Sequence, residues 1–248
     1  MKKKFFDWRV AFGIILVLLS IAFYFLHYLI FHNPHHIFLY LIGDIAFVFI
    51  QVLLVTLVLE RFWQYNEAKE RMEKLYMLIG AFFSEVGHKL LDLYSRVDLN
   101  AGEVIKDVAL DGLWSDDDFK KFQKNLHRHK FLIDASKINL EELRNFLIEK
   151  RDFLLRLIEN PNLLEHEKFT NLLLAVFHLT EELQYRKDFR NLPEADYEHI
   201  SKDIIRIYNL LLEAWIKYAE HLKENYPYLF SLVIRINPFN PKATVVIK

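Results

Sequence analysis

Apolar positions divide the chain near residue 60. Between Val10 and Leu59 the only formally charged side chain is Asp44, whereas beyond it charges of both signs are interspersed among apolar positions. Val10 to Phe31 is a run dominated by aliphatic and aromatic side chains. His32-Asn33-Pro34-His35-His36 interrupts it, and Ile37 to Leu59 is a second run of similar length. At about 1.5 Å of rise per residue, each run reaches across a hydrocarbon core about 30 Å thick. The pattern predicts a two-helix transmembrane hairpin, with spans over 10–31 and 37–59, continuing into a cytoplasmic helical bundle. A basic N-terminus (1–9), a helical stalk and bundle (60–225) and an irregular, aromatic, proline-containing tail packed on the bundle (226–248) complete the organisation. The fold class is all-α.

The Met1-Lys2-Lys3-Lys4 start is shared with secretory signal peptides. Those have an apolar core of only about 7–15 residues followed by a small-residue cleavage site. The first run is longer and lacks such a site, so it reads as a retained span. Lys2, Lys3, Lys4 and Arg9 precede the first span, Arg61, Lys69, Arg71 and Lys74 follow the second, and the connecting turn has no Lys or Arg. The positive-inside bias therefore puts both termini in the cytoplasm of a plasma (inner) membrane and the His-rich turn outside. Trp8, Phe62, Trp63 and Tyr65 fall where an inner aromatic belt belongs.

Polar residues within the spans narrow the possibilities. His27 and Asp44 lie at similar depths in a tight hairpin and can pair across it. Gln51, seven residues after Asp44, extends a narrow polar stripe on the second span. An intramembrane acid costs roughly 3 kcal/mol or more and faces protein or water. Asp44 is either a packing contact or part of an ion or proton path in an oligomer. His32, His35 and His36 form an outer cluster of imidazoles, a residue type that suits zinc, copper and nickel, although a five-residue turn imposes no evident tetrahedral arrangement.

Beyond the second span the spacing Phe62, Tyr65, Met72, Tyr76, Ile79, Phe83, Val86, Leu90, Leu93, Val97 is a heptad seam suited to a stalk packing on partner helices, its distal half in a bundle core. Ser115 before Asp116-Asp117-Asp118, and Asn139 with Glu142 three residues later, are helix starts. The second predicts one helix to Glu159. Asn160-Pro161-Asn162 separates it from a helix over Leu163 to about Phe189. Pro193 precedes the longest soluble helix, Glu194 to about Asn225, and Pro227, Pro238 and Pro241 argue against regular helix beyond it.

The pair of helices joined at Pro193 carries the most chemistry. His178 and Glu182 are four residues apart on the first; His199 and Asp203 are four apart on the second. Counting from Leu192 sets Glu182 and Asp203 at one level. Helical bundles build carboxylate metal sites from such inward-facing groups, commonly with an E-x-x-H motif. Glu85-Val86-Gly87-His88 is one such motif, which makes Glu85, His178, Glu182, His199 and Asp203 a candidate site for a divalent metal. Arg186 and Arg206 compete as ion-pair partners, and a ferritin-like site would want a second E-x-x-H.

Composition removes other classes. With no cysteine there is no disulfide, thiolate nucleophile or cysteine zinc site. A net charge of −1 with mixed signs gives no basic face for nucleic acid. Phosphate-binding glycine loops, dinucleotide fingerprints, G-x-S-x-G and H-E-x-x-H are missing. Three stretches, Ile79-Gly80-Ala81-Phe82-Phe83-Ser84-Glu85-Val86-Gly87, Phe177-His178-Leu179-Thr180-Glu181-Glu182-Leu183 and Tyr226-Pro227-Tyr228-Leu229-Phe230-Ser231-Leu232 with Asn237-Pro238-Phe239, are similar to an uncharacterised family of prokaryotic membrane proteins. The resemblance covers most of the chain. It implies two N-terminal transmembrane helices and a cytoplasmic helical domain, and it implies no particular activity. The leading expectation is a homo-oligomeric membrane protein in contact with lipid, whose helical domain is a regulatory or interaction module. The rivals are a pore lined by the second span and a metal-dependent bundle enzyme.

Overall fold

The computed structural model describes residues 4–100, 114–126, 128–164, 166–237, 239 and 244–246, excluding the side chains of residues 4–9, 36 and 164. Lys2, Lys3, Ala101, Gly102, Glu165, Pro238 and Pro241, and the Trp8 and His36 side chains, lie outside the described set. The described elements are helical, without strands; an isolated bridge joins Asp98 to Ile133. The chain forms two compact units, Met1–Ala68 and Lys69–Lys248.

In the first unit, α1 spans Lys4–Phe31 and α2 begins at Pro34 and runs to Phe82. Local chemistry makes the turn. His32 adopts a left-handed backbone with φ 50°, and its N–H still donates to the Tyr28 carbonyl at 2.9 Å. Asn33 Oδ1 accepts the His35 N–H at 3.1 Å, while Pro34 occupies the first helical position, where no N–H is needed. Both helices are long and apolar enough to cross a membrane, and their apolar windows are 0% buried within the chain. Only His27, Ile37 and Leu41, near the turn, are partly covered along the two spans. Gly13 and Gly43 have open space where a Cβ would project. The expected His27–Asp44 contact does not form among the described residues: His27 Nδ1 has no hydrogen-bond partner and Asp44 is exposed, as is Gln51. Because the spans meet chiefly at the turn, similar depth does not bring these side chains together.

The second unit is built around its longest helix. After α2 come a π-helical turn (Phe83–Gly87), α3 (His88–Val97), α4 (Asp116–Leu126), a 3-10 turn (Ala135–Lys137), α5 (Leu140–Glu149), α6 (Arg151–Ile158), α7 (Pro161–Leu164), α8 (Glu167–Tyr185), α9 (Glu194–Asn225) and α10 (Pro227–Arg235). Ile200, Ile204, Ile207, Leu211, Trp215 and Ala219 repeat at three- and four-residue spacing on α9 and are all buried. That stripe accounts for the contacts of α9 with α3, α4, α8 and α10. Each fully buried large apolar side chain contributes about 1.5–3 kcal/mol.

The seam that follows the second span changes character along its length. Tyr65 is 70% exposed, whereas Ile79, Phe83, Val86 and Leu90 are buried. The π turn interrupts the continuous helix expected from the spacing. It lets the adjacent Phe82 and Phe83 both enter the core, Phe82 edge-on to Phe169 at 5.4 Å and Phe83 stacked on Tyr218 at 5.6 Å. Gly87 permits this arrangement, because a methyl group there would strike the Phe83 ring and stand 3.1 Å from Phe82 Cε1. The Phe83 carbonyl accepts both the His88 N–H and, at 2.7 Å, His88 Nδ1–H.

Three element boundaries depart from the spacing argument. The helix beginning after Asn139 breaks at Lys150, which has φ −90° and ψ 0°, and α7 is a separate turn before α8. The tail is not wholly irregular, because Pro227 starts α10 rather than preventing it. Proline's missing N–H costs nothing at the first helical position. Phe230, Val233 and Phe239 of this segment are buried, with Phe239 against Trp215 at 5.7 Å.

Candidate metal centre

α8 and α9 run antiparallel through a connection at Arg186–Pro193. Four-residue spacing puts His178 and Glu182 on one face of α8, and His199 and Asp203 on one face of α9. The two faces meet. His178 Nε2 lies 3.7 Å from Asp203 Oδ2, and His199 Nε2 lies 3.5 Å from the same oxygen and 3.8 Å from Glu182 Oε2. The rungs are thus His178–Asp203 and Glu182–His199, not Glu182 opposite Asp203. The connection pivots between Arg190 and Asn191 rather than at Leu192, which shifts the pairing along each helix.

Among the described residues, His178, Glu182 and His199 are the one group of three His, Asp or Glu side chains whose ligand atoms all fall within 4.8 Å of one another. Asp203 stands beside it, with Oδ2 3.7 and 3.5 Å from the two imidazoles. Its side chain is only 6% exposed, and its inward Oδ2 is buried without a hydrogen-bond partner. An unsatisfied buried carboxylate oxygen costs at least about 1–3 kcal/mol. Separations of 3.5–3.8 Å are too long for hydrogen bonds. With ligand bonds of about 2.0–2.2 Å the edges of a tetrahedron are about 3.3–3.6 Å, so the 3.5 Å separation already matches a common ion and the two longer ones would close on it by a few tenths of an ångström. Two imidazoles and two carboxylates without thiolate favour a first-row divalent ion of the zinc type. The half-exposed histidines leave one side of the cluster open to solvent.

Two arginines flank the site. Arg186 Nη1 meets Glu182 Oε2 at 2.6 Å and Nη2 meets Asp196 Oδ1 at 3.3 Å, while Arg206 Nη1 stands 3.7 Å from Asp203 Oδ1. The Arg186 hydrogen bond holds the Glu182 carboxyl below the usual carboxylate range against the opposing effect of burial, and the Arg186, His178 and His199 charges act in the same direction. Asp196 was not singled out from the sequence; its place in the first turn after Pro193 was the available signal.

The remaining candidates fall elsewhere. Glu85 is exposed and forms an ion pair with Lys150 at 2.9 Å, and its motif partner His88 is committed to the Phe83 carbonyl, so the E-x-x-H motif does not join the cluster. His32 and His35 gather no third ligand among the described side chains. His221, excluded from the cluster by helical distance, stacks on Tyr76 at 3.6 Å.

Residues 71–235 match the family described as "Uncharacterized protein MJ1433, C-terminal helical domain", and residues 2–63 match "MJ1433, N-terminal helical domain". The chain belongs to the MJ1433 family. It is 45% identical over 234 residues to "Uncharacterized protein MJ1433" of Methanocaldococcus jannaschii, covering 94% of each chain. No solved structure matches. All four cluster residues, with Arg186 and Asp196, lie within the MJ1433 C-terminal helical domain, and the first apolar helix and the apolar run 37–59 of the second lie within the N-terminal one.

Proposed function

We propose that this MJ1433-family chain is a two-pass plasma-membrane protein with both termini in the cytoplasm. Its helical domain acts as a regulatory module whose trigger is a divalent cation held by His178, Glu182, His199 and Asp203. The observation that carries the reading is the buried, unpartnered Asp203 Oδ2 facing two imidazoles at 3.5 and 3.7 Å. Such an oxygen is stabilised by a cation and by no protein group at hydrogen-bonding distance. The half-exposed histidines give an ion a route between the cluster and solvent. Elemental analysis of the full chain, purified in mild detergent and equilibrated with zinc, is expected to give about one ion per chain in excess of a His178→Ala/His199→Ala variant. Equal metal content in the two would end the cation reading.

The membrane part rests on two helices whose apolar surfaces are bare within their own chain. A core helix of a water-soluble domain would be covered. Asp44 and Gln51 are exposed on the second of these helices, and an acid in hydrocarbon requires a polar neighbour. Another copy of the chain supplies one, which supports a homo-oligomer. Native mass spectrometry from mild detergent is expected to give a multiple of the chain mass; a monomer would contradict this.

A further inference from the structure

Arg186 shares an atom with the cation site. Its Nη1 is 2.6 Å from Glu182 Oε2, the same oxygen that faces His199 Nε2 at 3.8 Å. The guanidinium is well covered, its side chain being 16% exposed, and its Nε is buried without a partner. Its Nη1 also donates to the Glu182 carbonyl at 2.6 Å, and its Nη2 reaches Asp196 on the first turn of α9. A divalent ion on Glu182 Oε2 would stand within a few ångströms of this fixed positive charge, where the two repel strongly in a partly desolvated setting. Ion and guanidinium therefore cannot both hold that oxygen at full strength.

We propose that Arg186 is the resident counter-ion of the site, displaced from Glu182 toward Asp196 when a divalent cation enters. This rests on the cation reading above and adds its regulation. The exchange requires no new partner, since Asp196 already accepts from the same guanidinium. It also has an output. Arg144 Nη1 of α5 stands 3.5 Å from the Arg186 carbonyl, the Arg144 guanidinium covers the Phe189 ring at 5.2 Å, and Tyr197 Oη donates to the Phe189 carbonyl at 3.2 Å. Movement of Arg186 thus bears on the Arg186–Pro193 connection and on its attachment to α5. Occupancy of a site between two helices becomes a change at the surface loop joining them.

Cobalt(II), titrated into the full chain in detergent and followed by its visible absorption, tests the exchange. Arg186→Gln removes the competing charge and is expected to tighten cobalt binding about tenfold. Asp196→Asn removes the acceptor and is expected to weaken it several-fold, with Arg186→Lys between wild type and Arg186→Gln. Cobalt is also expected to change amide hydrogen exchange across residues 186–193 in wild type and much less in Arg186→Gln. Wild-type binding with equal or weaker affinity in Arg186→Gln would overturn the exchange and leave the cation site standing. Loss of binding in wild type would remove the site itself. Should circular dichroism show Arg186→Gln unfolded, the comparison of Asp196→Asn with wild type decides: unchanged affinity overturns the proposal.

Discussion

Leu18 and Leu211 are the same residue in the same secondary structure, yet the first is 60% exposed and the second fully buried. The contrast extends through the two units to which they belong. From Val10 to Phe31, α1 is apolar around its circumference, which leaves no face to turn toward water, and its own chain buries none of its apolar window. The helices of the second unit are striped. The α9 stripe is buried, while Glu198 and Lys202, on its other side, are exposed. One kind of residue is thus bare on one helix and buried on another, and the distribution around the helix, more than the fraction of apolar residues, separates the two.

The comparison breaks most readily at large side chains. Trp215→Ala empties a fully buried position and should cost the helical domain about 3–5 kcal/mol. Phe25→Ala, at a side chain 62% exposed, should change unfolding of that domain by less than about 0.5 kcal/mol. Denaturant midpoints in detergent check both, and a comparable loss from Phe25→Ala would make the two regions one cooperative core. Glycines give a finer contrast. Gly87→Ala drives a methyl into the Phe82–Phe83 pair and should destabilise by about 1–3 kcal/mol, whereas Gly43→Ala enters open space and should be neutral or slightly favourable. Similar effects at both positions would deny the π turn its packing role.

Within the first unit, Asp44→Leu removes the acid from the bare face. On the proposed homo-oligomer this should weaken self-association by about 1–2 kcal/mol, seen in native mass spectra as a shift toward monomer on dilution. An unchanged distribution would place the oligomeric contact elsewhere. The smallest expected effect concerns pH. Burial holds the His88 imidazole below its ordinary value, so the unfolded chain takes up that proton first on acidification. The contribution of His88 is complete above about pH 6.5 and falls as pH drops from there toward its folded-state value. His88→Gln should make the acid limb of a stability–pH curve shallower. His166 and His221 are shifted in the same direction by burial and will retain part of the slope.

Legibility in the sequence followed how local each cause was. Ser115 and Asn139 cap α4 and α5 through contacts three residues away, so their starts were readable. So were both bounds of α9, between Pro193 and Pro227. The π turn was not readable, since it depends on Phe169 and Tyr218 from distant elements. Pro227 was misread because proline both ends and begins helices, and only the preceding turn distinguishes the two. At the site, the four-residue His–acid spacing on α8 and α9 was visible. Which groups face each other was not, because the connection's pivot sets the register. The Glu85–Lys150 pair spans 65 residues and left no local trace.

The central claim is that one divalent ion sits among His178, Glu182, His199 and Asp203. Anomalous diffraction at the cobalt or zinc edge, from crystals of the full chain grown with that ion, tests it most directly. The account predicts a peak about 2.0–2.2 Å from both Nε2 atoms and the Asp203 Oδ2 atom, with Glu182 completing the set. A site with no anomalous signal, or one in which Arg186 still holds Glu182 while water alone fills the gap beside Asp203, would contradict it.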